Sequence, residues 1–146
     1  MDSLYQFRRM ELKDIPFFNS VRNESCSYLH DSSKYTIEES KEWFFKNTPV
    51  FFIVSHDGND IGYFRTSNWG KNSVYIGMDI SYDMRGKGHA QMSYPLFIQF
   101  LEDTYGIDQF YLRVLISNER AQHIYRKVGF VVIEETEIDL KMELRI

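Results

Sequence analysis

The chain predicts a mixed α+β fold, and three observations carry that expectation. Strand-like runs of β-branched and aromatic residues alternate with helix-like runs along all 146 residues. A glycine-rich turn, Arg85-Gly86-Lys87-Gly88-His89-Ala90, joins a strand pattern to a helix pattern in the second half. The last segment places Ile138, Leu140, Met142, Leu144 and Ile146 at period two, as a half-buried strand does.

The elements follow in order. Tyr5 to Met10 reads as a strand. Asp14 is placed to cap a helix running to about Glu24, with Pro16 in its first turn, where the missing N–H costs little. Ser25 to Tyr35 is polar and aperiodic. Thr36-Ile37-Glu38-Glu39 is a capping box that opens a second helix through Trp43, Phe44 and Phe45. Val50 to Val54 and Ile61 to Thr66 read as strands joined by a hairpin turn, His56-Asp57-Gly58-Asn59. Asn68 to Asn72 turns the chain into a strand from Val74 to Ile80. A helix from His89 to Tyr105 comes next, and Pro95 inside it predicts a kink or a break. Phe110 to Leu115, a helix from Asn118, Val131 to Ile133 and Ile138 to Ile146 complete the order β-α-α-β-β-β-α-β-α-β-β.

Composition bounds the function. The formal charge is −4 with no basic block, which argues against holding nucleic acid through its phosphates. No run approaches the roughly 20 apolar residues of a membrane span. Met1-Asp2-Ser3 is not the basic, then apolar, start of a leader, so no signal peptide is expected. The lone Cys26 cannot form an internal disulfide, which favours a reducing compartment, the cytoplasm. His30, His56, His89 and His123 show no ligand spacing, so no metal is expected.

The turn at Arg85 to Ala90 carries the most chemistry. Two glycines allow a tight turn that brings N–H groups close to an oxyanion. The helix that starts there adds about half a positive charge at its N-terminus, and Arg85 and Lys87 add their own. A Walker loop is excluded, because Lys87 is followed by Gly88 and His89 rather than by Ser or Thr. A dinucleotide fingerprint is excluded by the missing third glycine or alanine and by the position past mid-chain. The remaining pattern, Arg-x-x-Gly-x-Ala, resembles the acyl-CoA pyrophosphate loop of the GNAT N-acetyltransferase superfamily.

A second segment extends that resemblance. Asn118 to Phe130 is a short helix, capped by Ser117 or Asn118, ended by Gly129 and apolar along Ala121, Ile124, Tyr125 and Val128. It is similar to the superfamily's Asn-x-x-Ala-x-x-x-Tyr-x-x-x-Gly-Phe segment, and it lies 33 residues beyond Arg85. The resemblance implies an α+β fold, an α/β sandwich of four helices on a mixed, mostly antiparallel seven-stranded sheet. That sheet splays between its fourth and fifth strands, and residues 1–146 form a single acyltransferase domain. The early Val21-Arg22-Asn23 and the Thr36 helix look like those of the branch that acetylates ribosomal-protein N-termini, diamines and nucleotide-linked amino sugars.

The same resemblance implies the site. Acetyl-CoA is the acetyl donor, with Arg85, Gly86, Lys87, Gly88, His89 and Ala90 holding its pyrophosphate. The backbones of Ile80 and Tyr82 pair with the pantetheine arm, and the Ile80 N–H polarises the thioester carbonyl. Asn118 bonds the arm or a neighbouring backbone group, and it also serves as an ordinary helix cap. Tyr125 sits at the position of the acid that protonates the leaving sulfur, with a reference pKa of about 10. In isolation Tyr125 also reads as one residue of an apolar helix face.

The base and the acceptor are less legible. Asp79, Glu134 and His30 are the candidates for the base, and a water relay is an alternative. His89 and His123 read as solvated helix residues. Strand alternation puts Asp79 opposite Met78 and Ile80 unless a bulge or close approach at Gly77 changes the register. The segment Cys26 to Tyr35 and the acidic turn Glu134-Glu135-Thr136-Glu137 are expected to rim the acceptor, a primary amine of a small molecule (amino sugar, polyamine or similar) or a protein N-terminus. A homodimer is compatible with this reading. The alternative is a module that binds acyl-CoA or a nucleotide without turnover.

Overall fold

The computed structural model describes residues 4–146; the residues 1–3 from which the absence of a leader was read lie outside them. Its strands and helices are β1 (Tyr5–Arg9), α1 (Ile15–Glu24), α2 (Ile37–Asn47), β2 (Phe52–His56), β3 (Asn59–Ser67) and β4 (Ser73–Ile80) in the first half. There follow α3 (His89–Tyr105), β5 (Gln109–Leu115), α4 (Glu119–Val128), β6 (Val131–Glu135) and β7 (Asp139–Arg145). Single 3-10 turns lie at Leu12–Asp14, Cys26–Tyr28 and Tyr82–Met84. The strands form a seven-stranded sheet in the order β1-β2-β3-β4-β5-β7-β6. The β4–β5 pair is parallel, while β1–β2, β2–β3, β5–β7 and β6–β7 are antiparallel. This is the expected fold. Among the described residues no helix is long and apolar enough to cross a membrane.

The chain divides into two compact units, residues 1–65 with 78–87 and residues 66–77 with 88–146. In the first unit Met10, Ile15, Phe18, Val21, Ile53 and Tyr63 form a buried cluster, with Phe17, Trp43, Phe44 and Phe51 packed against it. Phe18 stacks on Trp43 with ring centroids 5.1 Å apart and planes 4° from parallel, an arrangement worth about 0.5–1.5 kcal/mol beyond its buried area. The β2–β3 hairpin turns at Asp57 (φ +51°) and Gly58 (φ +82°). Two successive positive φ values match the right-handed twist of the strands they join.

In the second unit α3 buries Ser93, Tyr94, Phe97, Ile98 and Leu101 along one stripe. Phe110, Leu112 and Val114 of β5 and Leu140 and Met142 of β7 are buried as well. The parallel ladder of β4 with β5 comprises Ser73↔Gln109, Val74↔Phe110 and Tyr75↔Tyr111, all near the start of both strands.

Several local expectations are corrected. Asp14 makes no capping bond to α1. Its carboxylate instead accepts both terminal nitrogens of Arg8 at 2.8 Å and the Glu11 N–H at 2.8 Å. Burial pushes this carboxyl up, but those hydrogen bonds outweigh it and hold the group below its usual range. The second strand begins at Phe52 rather than Val50. Pro95 does not break α3, which is continuous to Tyr105. Both Pro95 and Gln91, whose carbonyl loses its helical donor, lie on the exposed side, where water can satisfy it. Of the period-two series, Leu140 and Met142 of β7 are buried, whereas Ile138 and Ile146, just outside the strand, are exposed.

A close backbone approach occurs at Gly62. A Cβ there would collide with the Asp79 carbonyl oxygen and stand 3.0 Å from the Ile80 Cα. Both obstacles are backbone, so neither can swing aside. Gly62→Ala is expected to destabilise the protein by about 3 kcal/mol or to prevent folding, as overpacking of a filled interior does. Urea unfolding checks this, and an unchanged midpoint would refute the close approach.

Candidate active site

The site grows out of the chain that follows β4. Ser81 N–H donates to the Ile61 carbonyl at 2.8 Å and Tyr82 N–H to Glu24 Oε1 at 3.1 Å. The 3-10 turn over Tyr82–Met84 then delivers Arg85. Its Nε donates to the Ile80 carbonyl at 3.2 Å and its Nη2 to Ser25 Oγ at 3.0 Å. Its guanidinium also lies 5.6 Å from the ring centres of both Tyr28 and Tyr82. The expected cation of the loop is thus engaged inside the first unit.

Beyond Arg85 the backbone does what the two glycines predict. Gly86 and Gly88 have φ of +73° and +83°, a region that an L side chain rarely adopts. Gly88 is the N-cap of α3, and no side chain caps this helix. Its first-turn N–H groups have no intrahelical acceptor. No acidic residue lies in that turn. A long helix therefore presents its positive end behind an exposed glycine turn bearing Lys87. These features fit a pyrophosphate.

His89 is a correction. It is 9% exposed rather than solvated, because it begins the stripe that continues through Ser93 and Phe97 at a spacing of four. That spacing was readable in the sequence. His123 is exposed.

On α4, Asn118 Oδ1 accepts the Ala121 N–H at 3.2 Å, the expected cap. Gly129 ends the helix with φ +121°. Tyr125 is half-buried, its hydroxyl 3.4 Å from that of Tyr94 and the two rings edge to face at 5.4 Å. Gln122, which carried no sequence signal, is the buried residue of α4; its side-chain amide donates to the carbonyls of Leu115 and Ile116 at 3.1 and 2.8 Å.

The base candidates separate. Glu134 lies in β6, half exposed, with Arg113 Nη2 at 3.5 Å. Asp79 is buried in β4, where the covered positions change parity from Val74 and Ile76 to Asp79 across Gly77. Its Oδ2 stands 3.3 Å from Arg65 Nε.

Asp79 also lines a cavity of about 610 Å³ formed by the first unit. Phe18 and Arg22 of α1 contribute to the lining, as do Leu29, His30, Asp31 and Tyr35 from the irregular segment. So do Glu39, Ser40, Glu42, Trp43, Lys46 and Asn47 of α2, and Phe51, Tyr63 and Arg65. Of the segment from Cys26 to Tyr35, Leu29, His30, Asp31 and Tyr35 thus belong to a cavity wall.

That segment is held by the polar face of α1. Arg22 donates to the Ser33 and Asp31 carbonyls at 2.5 and 2.7 Å and lies over the Tyr35 ring at 4.8 Å. Asn19 and Asn23 donate to the Tyr35 carbonyl at 2.7 and 2.8 Å, and the Tyr35 N–H returns to Asn23 Oδ1 at 3.0 Å. The Tyr35 hydroxyl donates to Asp31 Oδ2, and the Ser33 N–H to Asp31 Oδ1 at 3.0 Å.

Comparison with known proteins follows from this geometry. The order of elements, and the glycine turn leading into an uncapped helix, define an acyl-CoA-binding α/β architecture. A family model described as Acetyltransferase (GNAT) domain matches residues 5–131. The chain belongs to this family and is an acetyl-CoA-dependent N-acetyltransferase. No curated protein sequence matches it. Among solved structures it is similar to spermidine N-acetyltransferase from Vibrio cholerae in complex with CoA and spermine, at 22% identity and TM-score 0.86 over 99% of this chain and 96% of that one. It is also similar to an acetyltransferase of the GNAT family from Bacillus anthracis, at 14% identity and TM-score 0.84 over 98% and 95%. A dodecameric structure of the Vibrio enzyme matches at 21% identity and TM-score 0.79 over 99% and 95%.

The clasp on the irregular segment sets a pH window. The hydrogen bond from Tyr35, then that from the Ser33 N–H, lowers the Asp31 pKa to about 2. A depressed carboxylate stabilises the fold above its unfolded pKa of about 3.9 and loses that contribution as pH falls through the folded value. The segment is therefore expected to stay clasped to pH 4 and to loosen between about pH 4 and pH 2. An NMR titration of the Asp31 carboxyl checks this, and a midpoint near the unfolded value would remove the clasp.

Proposed function

We propose that the chain, acting over residues 1–146 as one catalytic domain, transfers the acetyl group of acetyl-CoA to the primary amine of a small molecule. The observation that carries the donor side is the N-terminus of α3, seventeen residues long, without a side-chain cap and preceded by glycines at positive φ. Bound there, acetyl-CoA supplies an activated thioester. The N–H groups from Gly86 to Ala90 and the Lys87 ammonium hold the pyrophosphate. Arg85 acts by fixing the turn, since its guanidinium bonds Ile80 and Ser25.

Ile80 would offer its N–H to the thioester carbonyl of a bound pantetheine arm, whereas Tyr82, expected to pair with the arm as well, has its N–H held by Glu24 and its carbonyl by the Arg85 N–H. Asn118 sets the start of α4, and Tyr125, about two turns further on, would give its hydroxyl proton to the departing sulfur. Asp79, buried and in the wall of the cavity, takes the proton that the amine must lose, in preference to Glu134, which is half exposed in β6 and outside that wall. The spermidine acetyltransferases among the structural relatives support a small amine acceptor.

Two experiments test this reading. Acetyl-CoA at 100 times its dissociation constant is expected to stabilise the protein by about 2.7 kcal/mol, whereas ATP–magnesium and NAD are not. Tyr125→Phe is expected to lower kcat by about 10²- to 10⁴-fold and to leave that thermal shift in place. Thiol release at the parent's rate would take Tyr125 out of the acid role. A thermal shift without thiol release for any amine would favour the non-catalytic module.

A further inference from the structure

Resting on that acetyltransferase reading, we propose that the cavity of the first unit is the acceptor site, floored by the buried Tyr63–Asp79 pair. The ligand it takes is a primary amine with an apolar body and no anionic group. Tyr63 is wholly buried and Asp79 is 6% exposed. Tyr63 Oη and Asp79 Oδ2 are both shut off from solvent without a hydrogen-bond partner of good geometry, and both residues line the cavity. Native interiors leave few polar atoms in that condition, and each one asks for a reason. A bound amine supplies it, because its N–H groups can donate to the carboxylate oxygen and to the phenol oxygen together.

The chemistry of the floor suits a nucleophile. Arg65 Nε, 3.3 Å from Asp79 Oδ2, orients the carboxylate. Its positive charge also opposes a second positive charge beside it, so the neutral amine is favoured in the site. The proton leaving the ammonium nitrogen goes to Asp79 Oδ2, and the nitrogen keeps its electron pair for attack on the carbonyl. Burial, with the Asp79 carboxylate near, pushes the Tyr63 phenol well above its usual range, so it stays a proton-bearing partner.

The walls set the substrate class. Phe18, Trp43 and Phe51 stand at 5.1 to 5.9 Å from one another and offer flat apolar surface to methylene groups or a ring. Aromatic faces also attract a distal cation. Anions are poorly served. Of the lining groups, Asp31, Glu39, Glu42 and Asp79 outnumber Arg22, Lys46 and Arg65. Both guanidiniums are engaged, Arg22 by the Ser33 and Asp31 carbonyls and Arg65 by Asp79. Lys46 shares its helix face with Glu42, four residues earlier.

The test measures thiol release from acetyl-CoA by the full chain with an n-alkylamine, an α,ω-diamine and an amino-sugar phosphate. The amines without phosphate are expected to be the better substrates. Tyr63→Phe is expected to fold, because it keeps the ring that fills the cluster, and to keep the acetyl-CoA thermal shift. Its KM for the amine should rise about fivefold, as loss of one neutral hydrogen bond implies. Asp79→Asn should lower kcat by about 100-fold or more and keep the acetyl-CoA thermal shift.

An unchanged amine KM in Tyr63→Phe, or preference for the amino-sugar phosphate, overturns the proposal. Absence of any acetyl-CoA thermal shift in the parent overturns instead the acetyltransferase reading on which it rests. Should Asp79→Asn fail to fold, Tyr63→Phe decides alone.

Discussion

Gly62 has no side chain where the Asp79 carbonyl and the Ile80 Cα pass, and much of the first unit is organised around that vacancy. The close approach lets Ser81 N–H reach the Ile61 carbonyl one residue before Gly62. It leaves the Ile80 carbonyl available to Arg85, which in turn reaches Ser25. Asp79 is thereby carried into the cavity wall with Tyr63, the neighbour of Gly62 in β3. A methyl group at one position of β3 would disturb the carboxylate, the glycine turn and the anchoring of the irregular segment together.

The floor of the cavity is where the fold departs from what stability alone would choose. The surrounding cluster is aromatic and aliphatic, with Phe18, Ile53 and Tyr63 almost without exposure. Into it the chain places a carboxylate and a phenol whose buried oxygens lack good partners. Replacing such groups by apolar ones of the same shape is generally neutral or stabilising, while leaving them unpaired is costly. Retained strain of this kind concentrates where a ligand completes the set. The contrast with Asp14 is instructive. That carboxylate is equally buried but receives two guanidinium nitrogens and a backbone N–H, and so needs no ligand to explain it.

Much of the architecture was legible because the signals are local. The capping box at Thr36 and Glu39 closes as read, with the Thr36 hydroxyl accepting the Glu39 N–H at 3.1 Å. The Asn118 cap, the Asp57-Gly58 turn and both boundaries of α3 also agree with the sequence. What failed depends on distant partners. Asp14 looked like a cap because nothing in sequence shows that Arg8 would claim it. Glycine at 77 drew attention as a break in a strand, but glycine at 62, in an equally strand-like run, meets the backbone of β4. The Asp31–Tyr35–Arg22 clasp left no periodic trace, since irregular segments ordered by side-chain to backbone bonds have no period to read. Pro95 was tolerated because its lost bond faces water.

Arg85 shows how a charge read from a motif can be held by its own neighbours. Its position in Arg-x-x-Gly-x-Ala suggests a charge for the pyrophosphate, yet its guanidinium is spent on Ile80 and Ser25 and flanked by Tyr28 and Tyr82. In the proposed function, anion recognition falls on main-chain N–H groups and Lys87. Backbone donors cannot be neutralised or swung away, and they are fixed by glycine φ values rather than by rotamers. The arginine becomes the tie between that turn and Ser25, where the segment lining the cavity begins. One side chain thus braces the turn proposed to bind the donor and the segment that leads into the proposed acceptor wall, so loss of Arg85 should disturb both substrates' binding rather than the charge balance at one.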